Sequence, residues 1–305
     1  MDSAAGKRTV PSGTQWTIGS GRRRAVVVEV GGGLRGYDDA VNGYAEDELC
    51  PGAAGQILAP WPNRIRDGKY TFGGHRYQLP VGEPERQNAM HGLVRWERWR
   101  AADVADDAVT VEHELVPQPW YPWPLLLRTT WTVGPDGLTA EHTATNLGAT
   151  PAPFGLAAHP YLRVPGAAVD DLVLRVPAAH RLLLDARLLP IGAARVAGTE
   201  YDYTGGRRIG SAVLDTSFGG LERGSDGTVN VTLATPDGAG VTVWADEAFR
   251  WFQVFTSDTL PAPRLRAAVA IEPMTCPPDA FRSGRDVVVL EPDETWRGRW
   301  GIGEL

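Results

Sequence analysis

Leu125-Leu-Leu-Arg-Thr-Thr-Trp-Thr-Val133, Gly134-Pro-Asp-Gly137 and Leu138-Thr-Ala-Glu-His-Thr-Ala-Thr-Asn146 follow one another without interruption. The first and third pieces are rich in Leu, Thr, Val and Trp, and the piece between them is turn chemistry. Side chains alternate along a strand, so Leu127, Trp131 and Val133 share one face. The whole reads as a β-hairpin. The pattern recurs on either side. Val229 to Thr235 and Val241 to Ala245 flank Pro236-Asp-Gly-Ala-Gly240. Lys69 to Phe72 and His75 to Leu79 flank Gly73-Gly74, a two-residue turn that tolerates positive φ. Ala108 to Val116 alternates. Ala25 to Val30, Trp251 to Thr256 and Val287 to Leu290 are short apolar runs that read as more fully buried strands. Sustained helical periodicity is missing; its best instance, Ala178 to Leu189, reads equally well as β. With 36 Gly and 24 Pro punctuating such runs, the expected fold is all-β, a large sandwich of antiparallel sheets. No linker or fixed-period repeat divides the chain, so one domain over 14–305 is expected, with 1–13 a loose terminus.

Composition narrows the function classes. The chain has 305 residues, 43% hydrophobic and 22% charged, with a formal net charge of −7. That suits a soluble globular protein with a substantial core. The longest basic cluster is Arg22-Arg23-Arg24, so nucleic acid is not an expected partner. Two cysteines, Cys50 and Cys276, and six scattered histidines show no CxxC, HxxxH or HExxH spacing. No metal, no disulfide framework and a reducing compartment are expected. The polar N-terminus and the lack of a long apolar run make a cytoplasmic protein with no membrane partner the default.

Four segments join reactive groups to rigid neighbours. In Ala59-Pro-Trp-Pro-Asn-Arg-Ile65 two prolines stiffen a loop presenting Asn63 and Arg64. The guanidinium could fork onto sugar hydroxyls or form a surface ion pair. In Asn88-Ala-Met-His91-Gly92 the Gly permits close backbone approach to a ligand, and His91 is either a ligand-facing or a structural histidine. In Phe154-Gly-Leu-Ala-Ala-His159-Pro160-Tyr161 an apolar surround would depress the imidazole pKa unless a carboxylate opposes it, so His159 is a general acid or a core histidine. In Ala270-Ile-Glu272-Pro273 a carboxylate followed by proline stands at the end of Val269 to Ile271, which reads as a buried strand end. It must be solvated, paired (to Arg64 or Arg282) or functional, and burial would raise it toward a useful base. Cys276 reads as packing. Of the eleven tryptophans, Trp61 is expected nearest a ligand.

These segments resemble the aldose 1-epimerases, or galactose mutarotases. Asn63-Arg64-Ile65 with Gly68, Tyr70 and Phe72, then Asn88-Ala-Met-His91-Gly92, His159-Pro160-Tyr161, Leu214-Asp215-Thr-Ser-Phe218 and Ile271-Glu272-Pro273 are similar, in order, to that family's motifs from roughly Gly31 to Gly301. The strings HGLVRW and IEPMTCPPDAF look most like a bacterial branch. Leu93 stands where many members carry a second Gly. The resemblance implies a galactose mutarotase-like β-supersandwich that interconverts the α and β anomers of a free aldohexose such as galactose or glucose, without a cofactor. It implies that Glu272 is the base at the C1 hydroxyl and His159 the acid at the ring oxygen. Arg64, His91 and Asn63 would bind the sugar, and Asp215 would hold distal hydroxyls. No GxGxxG segment calls for a nicotinamide. Three alternatives stay open. One is a hexose-6-phosphate 1-epimerase, for which Arg66 and Arg86 are the candidate phosphate ligands. The others are a glycoside hydrolase using Glu272 and Asp215, and a non-catalytic carbohydrate-binding sandwich.

Overall fold

The computed structural model describes residues 10–305. The hairpin of the sequence forms as strands Leu125–Gly134 and Gly137–Asn146, paired antiparallel so that Gly134 faces Gly137 and Leu125 faces Asn146. Its alternation is realised: Leu125, Leu127, Thr129, Trp131 and Val133 are buried, and their neighbours are less so. The hairpin lies within a nine-stranded antiparallel sheet, next to Ala108–Leu115 on one side and Thr295–Glu304 on the other.

An eight-stranded sheet opposes it. Its path runs Pro190–Arg195, Ala178–Leu184, Asp215–Leu221, Trp251–Phe255, Val269–Met274, Ala157–Ala158 and Ile57–Leu58, with Tyr161–Leu162 also paired to Val269–Met274. Trp131, Val231 and Trp300 of the first sheet share one core with Phe218, Phe252, Val254 and Ile271 of the second. The ambiguous stretch after Ala178 is β, strand Ala178–Leu184, and the only α-helix among the described residues is the single turn Ala280–Ser283. A third sheet of Gln15–Ser20, Arg23–Val28 and Leu34–Tyr37 and three two-stranded pairs, one of them Arg64–Arg66 with Asn88–Met90, make up the rest of the sheet structure among the described residues.

Residues 1–9 of the segment expected to be loose lie outside the described residues. The remainder is tied down: Ser12 is buried, and its carbonyl accepts from the Val30 N–H at 3.0 Å.

One histidine belongs to this core. His142 sits opposite Thr129 in the hairpin and is fully buried. The Trp300 Nε1–H donates to His142 Nε2 at 2.8 Å, so Nε2 is the acceptor. The proton of the neutral ring therefore sits on Nδ1, which bonds Thr129 Oγ1 at 2.8 Å.

The outer face of the eight-stranded sheet carries the site. In Val269–Met274, Val269 and Ile271 enter the shared core. Ala270 and Met274 pack on the opposite face, so Glu272 between them points outward as well. The strand does not stop at Ile271 as the sequence suggested; it continues through Glu272 and Pro273 to Met274, every residue buried. Its neighbour is interrupted instead. Ala157–Ala158 and Tyr161–Leu162 pair with its two ends, and His159-Pro160 fills the gap opposite Glu272.

Candidate functional site

A cavity of about 330 Å³ opens on that face, and Asn63, Arg64, His91, His159, Asp215 and Glu272 all line it. Six residues spread over more than two hundred positions of sequence are brought to one wall.

Sheet register places the carboxylates. Gln253 is the cross-strand partner of Glu272, and Ser217 is the partner of Gln253. Ser217 Oγ–H donates to Gln253 Oε1, which turns the amide so that Nε2–H donates to Asp215 Oδ1. Gln253 is thus an orienting group for Asp215, and the sequence reading, which saw only a buried strand there, missed it. Its one signal was a lone amide inside the apolar run Trp251-Phe-Gln-Val-Phe255.

Glu272 Oε1 lies 3.3 Å from His159 Nε2, with both side chains almost wholly buried. Glu272 Oε2 and His159 Nδ1 have no partner. Unpaired buried polar atoms are expensive, so orphans at a cavity mark places where a ligand or water bonds. Burial pushes the Glu272 carboxyl well above its usual range; Asp215 adds to this and Arg64 opposes it. Burial drives the His159 imidazole down to about 4, with the Arg95 charge assisting. Each group is driven toward its neutral form, so in the resting pair the proton is favoured on Glu272 over His159. The ion pairs weighed for Glu272 do not form, since Arg64 pairs with Glu83 and Arg282 with Asp279.

Asn63, His91 and Gly92 adopt left-handed backbone conformations, with φ of 53°, 61° and 72°. The two loops interlock. His91 N–H donates to Asn63 O at 2.9 Å, and Leu93 N–H donates to Ala59 O at 2.7 Å. Gly92 serves this contact rather than approach to a ligand, because a Cβ there would lie 2.0 Å from Ala59 O. Asn63 Oδ1 accepts from the Arg64 backbone N–H at 2.9 Å. His91 packs edge-on to His159 with centroids 5.6 Å apart, and burial together with the His159 charge pushes its pKa well down.

Arg64 is only 7% exposed. It forms an ion pair, but a buried one. Nε and Nη2 fork onto Glu83 at 2.9 and 3.0 Å, leaving Nη1 with one long 3.5 Å contact to Asn63 Oδ1. Glu83 also accepts from Asn88 Nδ2 at 2.8 Å and Arg86 Nη1 at 3.0 Å. The sequence reading missed Glu83 as well as Asp279, which clamps the same loop. Arg66 N–H donates to Asp279 Oδ1 at 2.9 Å, and Asp279 N–H donates to Arg64 O at 2.7 Å.

Trp61 is not at the cavity. It packs in the core, 6.0 Å from the Phe281 ring, and Trp96 is the tryptophan that lines the site. Cys276 is buried with its thiol pushed up to about 12, as packing requires.

A large sandwich of two antiparallel sheets with a polar cavity on an outer sheet face is the architecture of galactose mutarotase-like proteins. The fold aligns with the aldose epimerase homologue of Caenorhabditis elegans at a TM-score of 0.83, with 18% identity, covering 96% of this chain and 99% of that one. It aligns with a putative aldose 1-epimerase of Escherichia coli K12 at 0.79, with 20% identity and coverages of 96% and 99%. At such identities these likenesses speak for the fold alone. Among curated proteins, the chain is 30% identical over 292 residues to Escherichia coli K12 YihR, itself described as uncharacterized, covering 94% of this chain and 92% of that protein. It is 27% identical over 195 residues to the galactose mutarotase of Mus musculus, covering 60% and 56%. The aldose 1-epimerase family model matches residues 14–302, and the chain belongs to that family. No helix among the described residues is long and apolar enough to cross a membrane.

Proposed function

We propose that the protein is an aldose 1-epimerase that interconverts the anomers of a free aldohexose, with Glu272 as base and His159 as acid. The observation that carries this is the 3.3 Å Glu272–His159 contact at the cavity, with a second polar atom of each side chain unpartnered.

Glu272 takes the proton of the C1 hydroxyl while His159 protonates the ring oxygen. The C1–O5 bond breaks and the open-chain aldehyde forms. After rotation about C1–C2 the O5 hydroxyl attacks the other face of C1. His159 takes back the O5 proton and Glu272 returns one to O1. Protons balance over the cycle, and no redox change occurs. Productive opening needs Glu272 ionised and His159 protonated, yet burial favours the reverse assignment. Transfer of the proton across the 3.3 Å contact converts one into the other without solvent. Arg64 Nη1, His91 and Asn63 hold hydroxyls, and Asp215 holds the distal end in the orientation set by Gln253. Positioned acid–base groups supply roughly 10²–10⁴-fold.

Polarimetry of freshly dissolved α-galactose and α-glucose tests the reading. The protein should accelerate mutarotation, and Glu272→Gln should remove the acceleration while the sugar still binds. Binding with no acceleration by the native protein would leave a carbohydrate-binding module in place of an enzyme.

A further inference from the structure

Three arginines line the cavity, Arg64, Arg86 and Arg95. Arg64 pairs with Glu83, and Arg86 pairs with Glu83 and, at 3.7 Å, with Glu85, so two carboxylates balance these two charges. Arg95 has no ion pair and donates no hydrogen bond among the described residues. Its Cζ lies 5.5 Å from the Trp96 ring centroid, and Trp96, 47% exposed, lines the same rim. Burial pushes the Arg95 pKa down, and no carboxylate stands among the groups acting on it. A half-buried guanidinium without a counter-charge is costly unless a ligand supplies one. The hexose-6-phosphate alternative looked to Arg66 and Arg86. Arg66 is paired with Asp185 away from the cavity lining, and Arg86 is paired with Glu83.

Arg95 is also fixed relative to the acid. Gln56, itself buried, accepts the His159 N–H on its carbonyl at 3.2 Å and donates its side-chain amide to the Arg95 carbonyl at 2.7 Å. One residue therefore links the backbones of Arg95 and His159. The Arg95 charge acts on both His91 and His159, Asp215 acts on Glu272, and Arg64 acts on both His91 and Glu272. Arg95 thus stands on the histidine side of the site, and Asp215 on the carboxylate side. In a pyranose the ring oxygen is flanked by C1 and C5. With C1 at Glu272 and the ring oxygen at His159, the C5 substituent extends toward His91 and Arg95.

From the unpaired Arg95 beside Trp96 and its tie through Gln56 to His159, we infer that the substrate is an aldohexose carrying an oxyanion on C6, held by the Arg95 guanidinium. This rests on the proposed acid–base reading for its orientation. The shared chemistry is an oxygen anion on the exocyclic carbon; a carboxylate there gives a uronate and a phosphate gives a hexose 6-phosphate.

The test compares glucose, glucuronate and glucose 6-phosphate by NMR exchange between anomers, with the protein-free rate subtracted. The native protein should turn over at least one of the two anionic sugars with a kcat/KM about tenfold or more above glucose, the size of one hydrogen bond to a charged group. Arg95→Gln should lower that anionic-to-neutral ratio about tenfold. The preferred anion separates carboxylate from phosphate. A ratio near one in the native protein, or one unaltered in Arg95→Gln, overturns the inference. Calorimetry on Glu272→Gln, with and without Arg95→Gln, reads the contact without turnover. Arg95-dependent binding of an anionic sugar alongside a native protein that accelerates no sugar would sink the catalytic reading and leave the anion contact standing. Binding that ignores Arg95 would sink the anion contact by itself.

Discussion

Replacing Glu83 by Gln should loosen Arg64 and weaken the whole protein. The two Glu83 oxygens take hydrogen bonds from Arg64 Nε and Nη2, Asn88 Nδ2 and Arg86 Nη1, all between 2.8 and 3.2 Å. An amide offers one oxygen. Whichever way it turns, its NH2 points at N–H groups of Arg64 or Asn88, and a guanidinium only 7% exposed loses its counter-charge. Breaking a buried pair by removing one partner costs about 3–5 kcal/mol. The remaining acceptor, and the paired Glu83 and Asn88 backbones at 3.0 and 3.1 Å, place the loss near the lower end, about 3 kcal/mol. Urea unfolding of both proteins measures it. In the polarimetric assay KM should rise, because Nη1 is no longer held toward the cavity. Adding Arg64→Met should recover part of the lost stability but none of the activity, since the stranded charge is gone. A Glu83→Gln protein within about 0.5 kcal/mol of native, with unchanged KM, would show that the backbone alone positions Arg64 and refute the reasoning.

Other outcomes follow from the same geometry. The kcat/KM profile against pH should be bell-shaped, with limbs belonging to the Glu272–His159 pair jointly; a profile flat from acid to alkaline pH contradicts the pair. Glu272→Gln should be more stable than native at pH 8 while losing turnover by about 10²-fold or more. The sign follows from burial raising the folded carboxyl, so that ionising it above the unfolded pKa opposes folding; equal or lower stability counts against a carboxylate under strain. Acid should destabilise the native protein early. His142 is lowered to about 3, His159 to about 4, and His91 well below its usual value, so all three unfold by taking up protons once pH falls below about 6.5. Glu272, raised on folding, offsets part of this uptake, so stability should fall from pH 6 to pH 5; denaturant titrations at those two pH values check it, and equal stabilities refute it. Gly92→Ala should destabilise and slow the enzyme together, because the new Cβ meets Ala59 backbone atoms at 2.0 and 2.4 Å where φ is +72°; a fully active, stable variant would mean the two loops can separate without consequence.

Much of the architecture was legible because it is local. Gly134 to Gly137 marks its own turn, and the alternation around Trp131 names its own buried face. His159 and Glu272 stood out for a related reason: a titratable group within an apolar run requires an explanation. Other features depended on partners far away in sequence. Glu83 matters through Arg64, 19 residues away, and Asp279 through Arg66, 213 residues away. Gln253 acquires its role only when register sets it between Glu272 and Asp215. Trp61 was misplaced because sequence shows which loop carries a ring and not which way the ring turns, and Phe281 decides that. The end of the strand at Ile271 was misread because Pro273 signals a break in an ordinary ladder. Here the interruption lies in the neighbouring strand, between Ala158 and Tyr161.

That interruption divides the molecule's labour. Of the two groups proposed for the chemistry, Glu272 lies within a sheet strand and His159 in the gap between two short strands paired to its ends, so their separation is set by the weave of the sheet. Of the groups proposed to read the sugar, His91 and Arg95 belong to the segment around the short strand Asn88–Met90, which is tied to the sheet through Gln56 and paired with Arg64–Arg66. A lineage could rewrite that segment and change which aldose is accepted while the proton-transfer distance stayed as it was. Inheritance of the reaction and inheritance of the substrate are in this fold separable.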